Sequence, residues 1–209
     1  MKKTILIFIF LINLFHTSSA QNHKQGFKNL SSPEKCWVIF HPFKAKRAYR
    51  ISLQAQKTSD SIAKTTLLDQ DKNGGQVDAF RHAYWMATLA KEIGKNSAKS
   101  LGKAHEKGNY KQFKKNQFED GTHPDKPSSE MDLFNNNIGI NIFKENKNVN
   151  KMELISLVIE KIKKGKLKIL KKDIYGHYND CNGKSINLKE YKGIWETPKC
   201  LINSNLNKL

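Results

Sequence analysis

The sequence predicts a mainly α-helical single domain, of orthogonal type, with a small C-terminal β-hairpin appendage. Three observations predict it. From Ser32 to Gly165 apolar residues recur at three- and four-residue spacing, in segments punctuated by cap residues, glycine and proline. Within Leu67–Leu89, LLDQDKNGGQVDAFRHAYWMATL, a polar glycine-bearing loop opens into a helix that is apolar on more than one side, as a central helix must be. After Gly165 the period changes to alternation, with turn signals and two cysteines.

Residues 1–20 read as a signal peptide. Lys2 and Lys3 give a positive start, Ile5 to Phe15 is an apolar run too short to span a bilayer comfortably, and Thr17-Ser18-Ser19-Ala20 is a small-residue cleavage pattern. Residues 21–31 read as a flexible leader, 32–165 as the helical domain and 166–209 as the appendage. The expectation is an exported chain, periplasmic or secreted. Its formal charge is +18, and removal of Lys2 and Lys3 leaves +16. Such a charge favours an anionic polymer or lipid as partner, although the lysines are scattered and form no dense patch interleaved with aromatics. No specific protein partner is implied. Cys181 and Cys200 bracket one short segment and are expected to pair in an oxidising compartment, which leaves Cys36 as a buried free thiol.

In chain order, Ser32 caps a short helix with Pro33 in its first turn and Trp37, Ile39 and Phe40 as its apolar side. His41-Pro42 breaks it, and a second helix runs from Phe43 to about Lys57. The central helix spans about Asp78 to Lys91 and stops at Ile93-Gly94. Asn96 caps the next, with Ala98, Leu101 and His105 on one stripe and Gly108 as its end. Tyr110 to Lys126 reads as a long loop. Ser129-x-x-Asp132 is a capping-box pattern that starts a helix with Met131, Phe134, Ile138 and Ile142 as apolar stripe, and Asp132, Asn135, Asn136 and Gly139 as a polar face beside it. Asn150 caps the last helix, with Met152, Ile155, Val158, Ile159 and Ile162 in period. Leu167 to Leu170 alternates like a strand.

Two candidate sites follow. Asp69, Asp71 and Asn73 alternate before Gly74-Gly75, as in an EF-hand calcium loop, with Asp78 at the tenth position and Phe80 where the closing glutamate belongs. The alternative for this loop is an Asx-turn that caps the next helix. The second site gathers polar residues from three helices. Asp78, His82, His105 and Asp132 are suitable ligands for zinc or a similar divalent metal. His82, His105, Glu106 and Arg81 are the candidate catalytic groups, as base, acid and anion stabiliser, and Asn136 would orient a histidine or substrate. Asp78 cannot easily serve both sites. Buried polar residues on adjoining helices also fix register without chemistry, and that alternative stands beside the site.

DAFRHAYW (Asp78 to Trp85), AHE (Ala104 to Glu106) and SEMDLFNNNIG (Ser129 to Gly139) together resemble a domain-of-unknown-function family of exported bacterial proteins. The resemblance spans about Ser32 to Cys200. It implies export and the location of a site, and no reaction. Two functions are therefore carried forward. One is a metal-dependent hydrolase acting on an anionic substrate, a phosphodiester or phospholipid. The other is a non-enzymatic exported binding protein with a structural calcium loop and a buried polar network.

Overall fold

The computed structural model describes residues 26–116 and 123–206. The expected signal peptide, residues 21–25 of the leader, part of the Tyr110–Lys126 segment and residues 207–209 lie outside the described residues. The chain is mainly helical: α1 Ser32–Phe40, α2 Pro42–Ala63, α3 Gln76–Ile93, α4 Lys95–Lys114, α5 Lys126–Glu145 and α6 Lys151–Lys163. A small antiparallel sheet follows, β1 Lys168–Leu170 with β2 Leu201–Asn203, and a short 3-10 turn at Leu188–Tyr191 lies between the strands. No described helix is long and apolar enough to cross a membrane.

Most of the fold packs around α3. It touches α2, α4, α5, α6 and β1, and its buried residues fall on all its sides. Phe80, Ala83, Tyr84 and Ala87 join one core cluster with Val158, Ile162, Leu167 and Ile169; Met86, Leu89 and Ala90 join another with Trp37, Ile51 and Leu101. The two-sided apolar pattern of this helix is thus met by partners on both sides, and hydrophobic burial holds it at the centre.

Boundaries differ from the sequence expectation where tertiary contacts or earlier caps take over. The cap of α1 is Ser31, not Ser32, because Ser31 and Glu34 satisfy each other in a capping box. Gly94 serves both as the stop of α3 and the start of α4, which displaces the expected cap Asn96. Helix α5 begins at Lys126 instead of Ser129: Asp125 accepts the Ser128 N–H at 3.0 Å and Pro127 fits the first turn. Gly108 does not end α4. A Cβ there would lie 2.4 Å from Ser31 Oγ, so the glycine lets the start of α1 sit on the helix. Cys36 is exposed, since α1 turns only Trp37 fully inward and leaves Ile39 and Phe40 in solvent. Met152 is likewise exposed, and Leu154 takes the buried place on α6.

The small C-terminal hairpin docks on the helical core. Leu167 and Ile169 are fully buried in the main core, and the Asn135 amide bonds both the N–H and the C=O of Lys168 at 2.9 Å. That side-chain bridge explains how three consecutive asparagines persist in α5: Asn135 docks the strand edge. The connection from β1 to β2 is pinned by the Cys181–Cys200 disulfide, as expected. Replacing both cysteines by serine is expected to lower unfolding free energy by about 3 kcal/mol, the loop-entropy value for a crosslink of this span, measured by urea denaturation.

Candidate metal centre and adjoining pocket

Asp78, His82 and Asp132 are all buried, and one ligand atom from each lies within 4.8 Å of the others. Asp78 and His82 come from the first two turns of α3, one turn apart; Asp132 comes from α5 across the helix crossing. His82 Nε2 is 3.3 Å from Asp132 Oδ1 and 3.6 Å from Asp78 Oδ1. On the other side of the ring, His82 Nδ1 is 3.3 Å from Asn136 Oδ1. Asp78 is anchored by the Gly74 N–H at 2.8 Å and by Arg81 at 2.7 Å.

Burial drives the His82 pKa well below its ordinary value, with the Arg81 and His105 charges adding to the effect. The ring is therefore neutral at neutral pH. With Asn136 Oδ1 as acceptor, the ring proton sits on Nδ1 and the Nε2 lone pair faces two carboxylates. Among the described residues, His82 Nε2 and Asn136 Nδ2 have no hydrogen-bond partner. A neutral imidazole nitrogen and two carboxylate oxygens converging in a buried site form a donor set suited to a divalent cation.

His105 is not in that group. Its Nδ1 is 3.0 Å from Glu34 Oε1, and its ring centroid is 6.4 Å from that of His82. The reason is the docking of α1 on α4, which brings in a carboxylate 71 residues away. Glu34 is held rigidly by its own capping box, with Oε2 accepting from Ser31 N at 2.8 Å and Ser31 Oγ at 2.6 Å. Burial pushes the Glu34 carboxyl up, but the His105 and Ser31 hydrogen bonds outweigh it and hold its pKa below the ordinary value. Sequence reasoning missed this residue. The Ser31-x-x-Glu34 spacing marks a helix start and carries no sign of a second partner.

Because the folded pKa of Glu34 is depressed, its contribution to stability is full above the unfolded value near 4.5 and is lost as pH falls through the folded one. The groups around it are His105 on α4, Ser31 on its own cap, and Arg81 and His82 across the cavity. E34Q is expected to cost about 1–2 kcal/mol at pH 7, with the gap to wild type closing in thermal melts as pH falls below 4.5 and through the depressed folded pKa.

Glu34, Arg81, His82 and His105 open onto one cavity of about 250 Å³, walled by Trp37, Tyr49 and Trp85. Larger cavities elsewhere, of about 420, 820 and 870 Å³, are lined by neither histidine. Glu106 is buried on another part of α4, where Oε2 accepts from Asn109 at 3.2 Å, and it does not line this cavity.

The other expected site residues are arranged differently. Asp69 accepts the N–H groups of Asp71 at 2.9 Å and Gln76 at 2.8 Å, and Asp71 accepts that of Asn73 at 3.0 Å. These are Asx-type turns that cap α3. Lys172 brings its ammonium to Asp71 Oδ2 at 2.5 Å and to the Asn73 carbonyl at 2.7 Å. Asp78 turns one carboxylate oxygen to the Gly74 N–H of this loop and the other toward His82, and among the described residues Asp69, Asp71 and Asp78 do not gather into one cation group as the calcium pattern requires.

The sequence model of a domain of unknown function, DUF6973, matches residues 35–166. The chain belongs to the DUF6973 family. The DUF6973 match includes Asp78, Arg81, His82, His105, Asp132 and Asn136; it begins one residue after Glu34 and ends before β1. The resemblance expected to reach Cys200 thus extends, as a family match, only through α6. Searches of curated proteins and of solved structures found no match to the chain.

Proposed function

We propose that this DUF6973 chain is an exported metal-dependent hydrolase acting on an anionic substrate, a phosphodiester or phospholipid. The observation that carries the reading is the convergence of Asp78, His82 and Asp132 around a buried imidazole nitrogen that has no hydrogen-bond partner among the described residues. These three would hold a divalent ion of zinc type, which lowers the pKa of a bound water and supplies a nucleophile. Asn136 sets the His82 ring through Nδ1, and the Gly74 N–H and Arg81 set Asp78. Glu34 orients the His105 ring through Nδ1, and His105 is the general base or acid of this reading. Arg81 supplies positive charge for an anionic oxygen at the same cavity. Export rests on the pattern of residues 1–20 and agrees with a disulfide at Cys181–Cys200.

A second reading is a non-enzymatic binding protein whose polar residues only lock the helix crossing. The Arg81–Asp78 ion pair favours it, because it already neutralises one carboxylate within the fold. The calcium form of this reading finds Lys172 at the Asp71 and Asn73 oxygens. Elemental mass spectrometry of purified residues 21–209 after dialysis against metal-free buffer separates the two. Near-stoichiometric zinc, manganese or iron, with turnover of a phosphodiester panel, is the expected result. A metal-free chain whose melting temperature ignores added zinc, manganese and calcium would leave the polar network as the reading.

A further inference from the structure

We infer that the substrate is an amphiphile, a phosphate ester whose alkyl or acyl chain lies in the cavity beside the His105–Glu34 pair. The inference rests on the hydrolase reading and selects a lipid-like ester over a nucleic-acid phosphodiester.

The walls of the cavity decide it. Its reactive groups cluster together, with His105 bonded to Glu34 and its ring 6.4 Å from His82. The remainder of the lining is mainly apolar, with Trp37, Val38 and Trp85 among its walls and Tyr49, Ser52 and Gln56 as its polar members. Both indole N–H groups are turned to partners within the protein: Trp37 donates to Ser100 Oγ at 2.8 Å and Trp85 to Ser52 Oγ at 2.9 Å. The tryptophans therefore offer ring carbon, not donors, to an occupant. A sugar or base placed against the two tryptophan faces would lose hydrogen bonds to water that ring carbon does not replace, whereas a hydrocarbon chain there would gain by leaving water. The volume, about 250 Å³, has room for a single alkyl chain.

The test uses the mature chain as purified, titrated calorimetrically with inorganic phosphate and with n-alkyl phosphates from butyl to decyl, each below its micelle concentration. Affinity is expected to rise by up to about fourfold per added methylene and to level off once the cavity is full. Ala45→Phe and Val38→Phe, at partly exposed positions on the wall, should shorten the chain length at which it levels, with inorganic phosphate binding unchanged. Affinity indifferent to chain length overturns the inference. So does a chain-length response that is identical in both variants when their melting temperatures match wild type. Hydrolysis of dialkyl phosphates read in parallel keeps the two readings apart. Turnover indifferent to chain length would retain a hydrolase and remove the amphiphile; chain-length-dependent binding without turnover would support the cavity's occupant and remove the hydrolase.

Discussion

Gly139→Ala is expected to destabilise the domain by about 3 kcal/mol, the upper end of the cost of overpacking. Helix propensity predicts the opposite sign, because alanine stabilises an exposed helix over glycine by about 1 kcal/mol. The contact decides between them. A Cβ at position 139 would lie 2.2 Å from the carbonyl oxygen of Ala83 and 2.9 Å from its Cα. Both are backbone atoms of α3, so no rotamer change relieves the clash and the two helices must part. Gly102→Ala is the control: its Cβ would meet the Met86 side chain at 3.3 Å and the Asn136 amide at 3.2 Å, groups that can give way. Urea denaturation should rank Gly139→Ala well below Gly102→Ala. Equal stabilities would mean that α3 and α5 do not cross this closely. The site should suffer too, since Ala83 adjoins His82 while α5 carries Asp132 and Asn136.

His82→Ala should remove stoichiometric metal and lower turnover by about a hundredfold or more. It deletes the one nitrogen among the three converging ligands and leaves two carboxylates facing each other in a buried space. Asn136→Ala is expected to have a milder effect, a loss of about 10- to 100-fold in metal affinity or activity, because Asn136 acts through the ring it orients. The comparison discriminates between roles. If His82 belongs only to a polar network, the variant loses stability in denaturant titration while metal content and turnover match wild type. Mass spectrometry and a phosphodiester assay on the same preparations give the answer.

Much of the site was legible in the sequence. The i, i+4 spacing of Asp78 and His82 on a helix apolar on two sides places both toward the interior, and the polar face of Asp132 and Asn136 on the next capped segment supplies their partner. Periodicity says which face is buried; it does not say what that face meets. His105 falls on the inward stripe of α4 by the same logic, yet it meets Glu34 of α1 and stands outside the metal group. Glu106 is its chain neighbour, but it points about a quarter-turn away and bonds Asn109. The Asp69–Asn73 spacing likewise describes an oxygen-rich turn, while its occupant is an ammonium from Lys172, about a hundred positions downstream.

The sequence by itself determined the helical class, the central place of α3, the change to β structure after Gly165 and the Cys181–Cys200 pairing. Each rests on local periodicity, on caps or on the nearness of two cysteines in the chain. Only the tertiary structure decided how the polar residues divide: Asp78, His82 and Asp132 in one group, His105 and Glu34 in another, and Asp69 and Asp71 in the cap of α3. That division depends on close helix contacts, Gly139 against Ala83 and Gly108 against Ser31, between segments far apart in sequence. Those contacts set the distances between side chains, and periodicity within one helix carries no information about them.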